Sequence, residues 1–267
     1  MLIRLGYDLQ FYVPMPASHV AQLHVHPSRV ADLREPDVVH IDGDIPSIDY
    51  SDSFGNICTR FHAPAGPLRI WTSTLIEDSG LPDPPAYDAR EIPVPELPND
   101  VLRFLLSSRY CEVDLLSPIA AELFGHLPPG GNRVHAVVEW VNNKVTFGYQ
   151  YARPTKTALD VYTERLGVCR DFQHLAVAFC RCLNIPARYV AGYLGDIGVP
   201  VTSDMDFSAW FEAYLDGKWW TFDARHNHPR IGRVLMATGR DAADVAFLTS
   251  FGTSTLTKFV VVSDEVP

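Results

Sequence analysis

A chain of 267 residues that is 47% hydrophobic and 20% charged can bury a sizeable core, which excludes a disordered protein. A formal net charge of -10, with no long basic run, argues against nucleic acid and anionic membrane as partners. No stretch approaches a transmembrane helix and the first residues lack a signal-peptide apolar run; with five cysteines in no disulfide or zinc spacing, a reduced, cytoplasmic protein is expected.

Residues 1–80 read as a small β-rich domain. Leu5, Tyr7, Leu9 and Phe11 alternate with polar residues, as in a half-buried strand. The runs 22–26, 38–41, 58–61 and 68–71 look like further strands, with a turn at Ser53-Phe54-Gly55-Asn56. Six prolines between Leu81 and Pro98 predict a stiff extended linker over 81–98. Residues 99–267 then form the second domain. Asp100 can cap a helix running through Leu106. Ser117-Pro118 reads as a cap followed by proline at the first helical position, and Asn132 can cap a helix over 133–143. Segments 187–193 and 258–262 read as strands, and Gly232, Arg233, Gly239, Arg240 and Asp241 as a polar, glycine-bearing stretch that either borders the site or, the preferred reading, is ordinary loop. Helices first and an antiparallel sheet afterwards is an α+β pattern.

Cys169 is the residue with most chemical promise. Phe172, Ala176, Phe179, Cys180 and Leu183 follow it at helical spacing, and Asn184 with Pro186 supplies a stop. The thiol therefore sits at a helix N-terminus, where free N–H groups and the dipole favour a thiolate. Cys180 and Cys182 read as small buried hydrophobes.

The run 207–215, then Asp216-Gly217, then 218–223 predicts a β-hairpin with a type I′ turn. That register sets Leu215 opposite Lys218 and Trp210 opposite Asp223, with Ser208 opposite Arg225. Ser208 and Asp223 then share a face as diagonal neighbours, roughly 5–8 Å apart.

Helix-start Cys, a strand beginning His-Ala-Trp-x-Glu and a Trp-x-x-x-Asp strand form the signature of the transglutaminase-like superfamily. This chain resembles it at Gly167-Val168-Cys169-Arg170-Asp171, Ala209-Trp210-Phe211-Glu212 and Trp219-Trp220-Thr221-Phe222-Asp223. Residues 108–114 and 133–149 also resemble bacterial members, so the likeness runs from near residue 100 to the end. It implies a papain-like core, with the nucleophile helix packed on a sheet that bears its partners. It also implies amide chemistry on peptides or proteins through a thioester, by hydrolysis or acyl transfer, with no metal or organic cofactor.

One position departs from the pattern. Where the catalytic histidine should precede Ala209, this chain has Ser208, whose hydroxyl is no base near neutral pH. Cys169 and Asp223 carry over. Three explanations stand. A turn after Asp223 would bring round His226 or His228, which a straight strand would aim away. Alternatively, the helix dipole and Arg170 sustain a thiolate without a base. Otherwise the protein is a non-catalytic peptide-binding module. His174, five residues along the helix, points elsewhere.

The remaining candidates have ordinary readings. His24, His26, His40 and His62 are scattered strand histidines, from which no metal site is expected. The tryptophans suit core or groove walls. Glu212 suits a structural bond, and Asp171 its own helix N-terminus.

Overall fold

The computed structural model describes residues 1–201 and 205–267. Its β-rich half begins with β1 (Leu2–Val13), whose alternating Ile3, Leu5, Leu9 and Val13 are fully buried. Next come β2 (Ala17–Ala21), β3 (His40–Ile41), β4 (Ser47–Ser51), β5 (Ile57–Ala63) and β6 (Gly66–Glu77). The expected strand at 22–26 is absent. The chain leaves the sheet after Ala21, and a 3₁₀ turn follows at Pro27–Asp32, where proline cannot donate to a ladder.

Residues 81–98 lack regular structure apart from a 3₁₀ turn at Val94–Glu96, and they are pinned rather than free. The Arg90 amide donates to Asp216 Oδ2 (3.0 Å), Glu91 pairs with Arg133, and Asp83 accepts from Arg233 Nε (2.6 Å). Gly131 is required here: a Cβ on it would lie 1.6 Å from the Ala86 carbonyl oxygen.

The helical layer follows as α1 (Val113–Phe124), α2 (Gly131–Lys144), α3 (Ala158–Glu164) and α4 (Cys169–Cys182). Leu102–Leu105 is only a 3₁₀ turn, shorter than the helix expected from Asp100. Pro118 lies inside α1, not at its first turn. The Ser107 hydroxyl accepts from the Val113 amide, so the helix starts a turn and a half earlier. Short parallel strands β7 (Thr146–Phe147) and β8 (Leu166–Gly167) lead into α4, around which α1, α2 and α3 pack.

The second sheet runs β11-β10-β9-β12, from β9 (Ala187–Leu194), β10 (Ser208–Leu215), β11 (Lys218–Phe222) and β12 (Arg233–Gly239). Leu215 pairs with Lys218, and both turn residues have positive φ (Asp216 50°, Gly217 78°), as a type I′ turn demands. Beyond Phe222 the ladder stops, so Ser208 is not opposite Arg225 but opposite Gly192 of β9. The expected loop at 232–241 is a correction: Arg233–Gly239 is a sheet strand pairing with β9. Its burial on both faces hid the alternation that marks a strand.

One face of this sheet buries Phe211, Ala213 and Leu215 against α4. Further along the same face, Tyr193 and Val234 join the core of the β-rich half. Two last strands, β13 (Leu248–Phe251) and β14 (Thr255–Val266), return to that half. β14 pairs with β1 and β13 with β2, although the boundary drawn from the sequence groups them with residues 99–267.

Arg181, fully buried in α4, ties these layers together. Its guanidinium donates to carbonyl oxygens of Ala187 (2.8 and 3.0 Å), Leu106 (3.0 Å) and Arg240 (2.5 Å) and to the Ser108 hydroxyl (3.1 Å), with no carboxylate partner among the described residues. Replacement by Met leaves those acceptors dry, so Arg181→Met should cost about 3 kcal/mol in urea unfolding. An unchanged midpoint would mean that these bonds are dispensable.

Candidate active site

Cys169 is the first residue of α4 and is half-buried. The helix start is fixed by Asp171, whose Oδ2 accepts from the Val168 amide (3.0 Å). That reach works because Gly167 has no side chain: a Cβ there would lie 2.7 Å from the Asp171 Cβ. Asp171 serves the helix end, as expected, and holds Arg170 at 3.0 Å, turning that cation away from a free role. The β7–β8 pairing then sets Tyr149 beside the thiol.

Burial pushes the Cys169 thiol up to about 11, outweighing the nearby Arg225 charge, which lowers it; Asp206 raises it further. Burial thus opposes the thiolate that the helix end and Arg225 favour.

Asp223 follows β11, and its carboxylate takes five donors. Oδ1 accepts from Gln173 Nε2 (3.1 Å) and from the amides of Arg225 (2.9 Å) and His226 (3.1 Å). Oδ2 accepts from His226 Nδ1 (2.9 Å) and Arg233 Nη2 (2.8 Å). The two amide bonds make a tight Asx turn, which Asn227 closes at φ 51° with its amide on the Asp223 carbonyl (2.9 Å). This turn reverses the chain and carries the His226 ring back over the carboxylate. Burial alone would push the Asp223 carboxyl up; Arg233 and His226 overcome it and hold the group well below the usual carboxylate range. With Nδ1–H committed to an ionised acceptor, Nε2 is the basic nitrogen of the neutral ring.

Cys169, Ser208 and His226 line one cavity of about 340 Å³, with Arg225, His228 and Asp206. Ser208, Cys169 and Asp206 also line a second cavity, of about 560 Å³. The four sequence candidates thus fall together: three on the cavity wall, and Asp223 behind His226. Ser208 itself, buried at the start of β10, presents no base.

The other candidates go elsewhere. His174 is buried and accepts from the Ala242 amide (3.1 Å), and burial holds it well below its usual pKa. Glu212 pairs with Arg188 (2.6 Å). His24 contacts Asp37 and Thr59, His26 Ser28, His62 Ser18, and His40 stacks on Trp71.

Two residues that matter were not singled out for this role. Gln173 is one turn beyond Cys169 on the same helix face; it donates to Asp223 and accepts from the Ala224 amide (3.1 Å). A lone amide in an apolar buried helix was the available signal. Arg233, buried at the start of β12, bridges Asp83 and Asp223.

Two measurements check this geometry. In the His226→Ala variant, iodoacetamide labelling of Cys169 should climb with pH toward about 11; a plateau reached by neutral pH would mean a ready-made thiolate. For Asp223, a folded pKa below the unfolded one adds stability that is full above about pH 4–5 and lost as pH falls. Arg233→Met should cost about 3–5 kcal/mol at neutral pH. Because it raises the folded value and narrows the gap to the unfolded one, stability should fall less steeply with acidification below about pH 4–5 than in wild type. Superimposable acid profiles would remove Arg233 from the account.

Known proteins share this fold. A model of the transglutaminase-like superfamily core matches residues 118–224. The crystal structure of a candidate cysteine protease from Cytophaga hutchinsonii is 30% identical, covering 99% of this chain and 90% of that one at a TM-score of 0.85. An uncharacterized protein of Mycobacterium leprae is 27% identical over 207 residues, 75% of this chain and 74% of that one. The fold, the helix-start cysteine and these matches together make the chain a member of the transglutaminase-like superfamily.

Proposed function

We propose that the protein is a cysteine-dependent amide-bond hydrolase or acyltransferase acting on peptides or proteins through a thioester. The observation that carries this reading is the His226 Nδ1 bond to Asp223, on a ring that shares a cavity wall with Cys169. It supplies the base that Ser208 cannot.

In the first step Cys169 Sγ bonds to the amide carbon while His226 Nε2 takes the thiol proton. The carbonyl oxygen gains negative charge beside the backbone amide of Cys169 at the start of α4. The C–N bond then breaks, the proton passes from Nε2 to the leaving nitrogen, and a thioester remains. Water or an amine attacks that carbon as Nε2 takes its proton, and the thiol reforms by taking it back. Asp223 keeps Nδ1–H in place and stabilises the transient imidazolium. Because burial opposes the thiolate, this is a general-base mechanism, in which Cys169 ionises as it attacks.

The net charge of -10 fits a peptide or protein substrate better than nucleic acid. No described helix is long and apolar enough to cross a membrane. Five free thiols suit a reducing compartment, and we place the protein in the cytoplasm.

Cys169→Ala and His226→Ala should each lower kcat/KM by about a thousandfold or more, assayed by amine release from N-acyl peptide amides. Cys169→Ala should leave the unfolding midpoint nearly unchanged. Should wild type form no thioester detectable by mass spectrometry with activated peptide esters, while Cys169 still alkylates, the non-catalytic peptide-binding reading takes its place.

A further inference from the structure

The cleft has two unlike arms that meet at the thiol. His226 lines only the smaller one, together with Asp196, Arg225 and Arg230. The larger arm, about 560 Å³, is walled by Tyr110, Tyr189, Val245, Phe247, Leu248 and Phe259. Its two longest polar side chains are already committed. Gln22 Nε2 donates to Asp52 Oδ2 (3.1 Å) and the Asp244 carbonyl (3.0 Å), and Arg170 is held by Asp171 and the Arg153 carbonyl (2.7 Å). What remains is a largely apolar recess.

Taking the proposed chemistry as given, proton traffic fixes which side of the amide lies in which arm. The ring that removes the thiol proton must deliver it to the leaving nitrogen, so the amine side lies along the His226 arm. The acyl side then extends into the apolar arm. Val168 and Arg170, which flank Cys169 at the start of α4, line that arm and not the other.

Ser208 acquires a purpose here. It lies opposite Gly192, and both residues line the apolar arm. An imidazole at position 208 would stand at the junction of the two arms. Moving the base to the Asx turn after β11 leaves that junction open.

We infer that the apolar arm is an acyl-side pocket selecting a large aliphatic or aromatic residue immediately before the amide that is attacked. Tyr110, Tyr189 and the Val245–Leu248 segment are its specificity-determining walls. Leu248 and Phe259 belong to β13 and β14, so strands of the β-rich half form part of the pocket.

The test compares Cys169 alkylation by iodoacetamide, N-phenethyl iodoacetamide and N-(carboxymethyl) iodoacetamide, then amine release from Phe, Leu, Gly and Asp acyl peptide amides. Wild type should react about tenfold or more faster with the phenethyl reagent than with iodoacetamide, and rank Phe and Leu above Gly and Asp. Ala246→Phe, which fills the pocket from its wall, should bring both ratios toward one. Equal alkylation rates in wild type overturn the pocket assignment without needing any variant to fold. Cys169-dependent turnover with no acyl preference overturns it too, while sparing the proposed chemistry. A phenethyl preference without any turnover supports the pocket and counts against the enzyme reading instead.

Discussion

The buried Asp223 carboxylate is the constraint on which the site depends. An isolated charge in that position would be costly by several kcal/mol, and five donors offset the cost. The five donors come from three separate parts of the chain. Gln173 belongs to the nucleophile helix, Arg233 to the neighbouring sheet strand, and two amides with one imidazole belong to the turn that Asp223 itself nucleates. One anion thus locks α4, β12 and the His226 turn into mutual register. The pinned segment before α1 enters the same network, because Asp83 holds the other edge of the Arg233 guanidinium.

That network brings an imidazole to the cleft wall although Ser208 precedes Ala209. What a cysteine nucleophile needs is a ring nitrogen near the sulfur and a carboxylate on the far nitrogen; no particular strand has to supply the ring. In this chain the carboxylate keeps its place, and the ring reaches it from three residues downstream instead of from the adjacent strand. The separation of three is itself informative. It suits an Asx turn, in which the aspartate captures the amides at i+2 and i+3 and the side chain at i+3 folds back over it. An extended continuation of β11 would have pointed His226 to the opposite face.

Much of this was legible before any coordinates. Asp216-Gly217 gave the hairpin register, and helical spacing after Cys169 gave α4 and the thiol at its head. The turn after Asp223 was one of three open explanations, since sequence offers no way to weigh an Asx turn against two more residues of strand. β12 escaped notice because a strand buried on both faces shows no alternation, and its flanking glycines imitate a loop. The return of β13 and β14 to the N-terminal sheets was invisible for a different reason. Antiparallel pairing between residues 250 apart leaves no local trace, and β14 reads the same whichever sheet receives it.

That last topology bears on the chemistry. If the papain-like core alone were the machine, the β-rich half would be an appendage. Instead β14 closes the sheet edge at β1, and the segment between β12 and β14 crosses from one half to the other along the cleft. Phe247 meets Phe207 at 6.1 Å between ring centroids, and Phe207 in turn packs on Tyr7 of β1 (6.0 Å) and Tyr193 of β9 (5.4 Å). This aromatic cluster stands next to Ser208. A shift between the two halves would therefore move the walls around the thiol while leaving Asp223 and its donors in place. The Asp223 carboxylate with its donors and the Val245–Phe259 walls of the cleft are held by different parts of the core, so substitutions in the β-rich half can reshape those walls without disturbing the carboxylate.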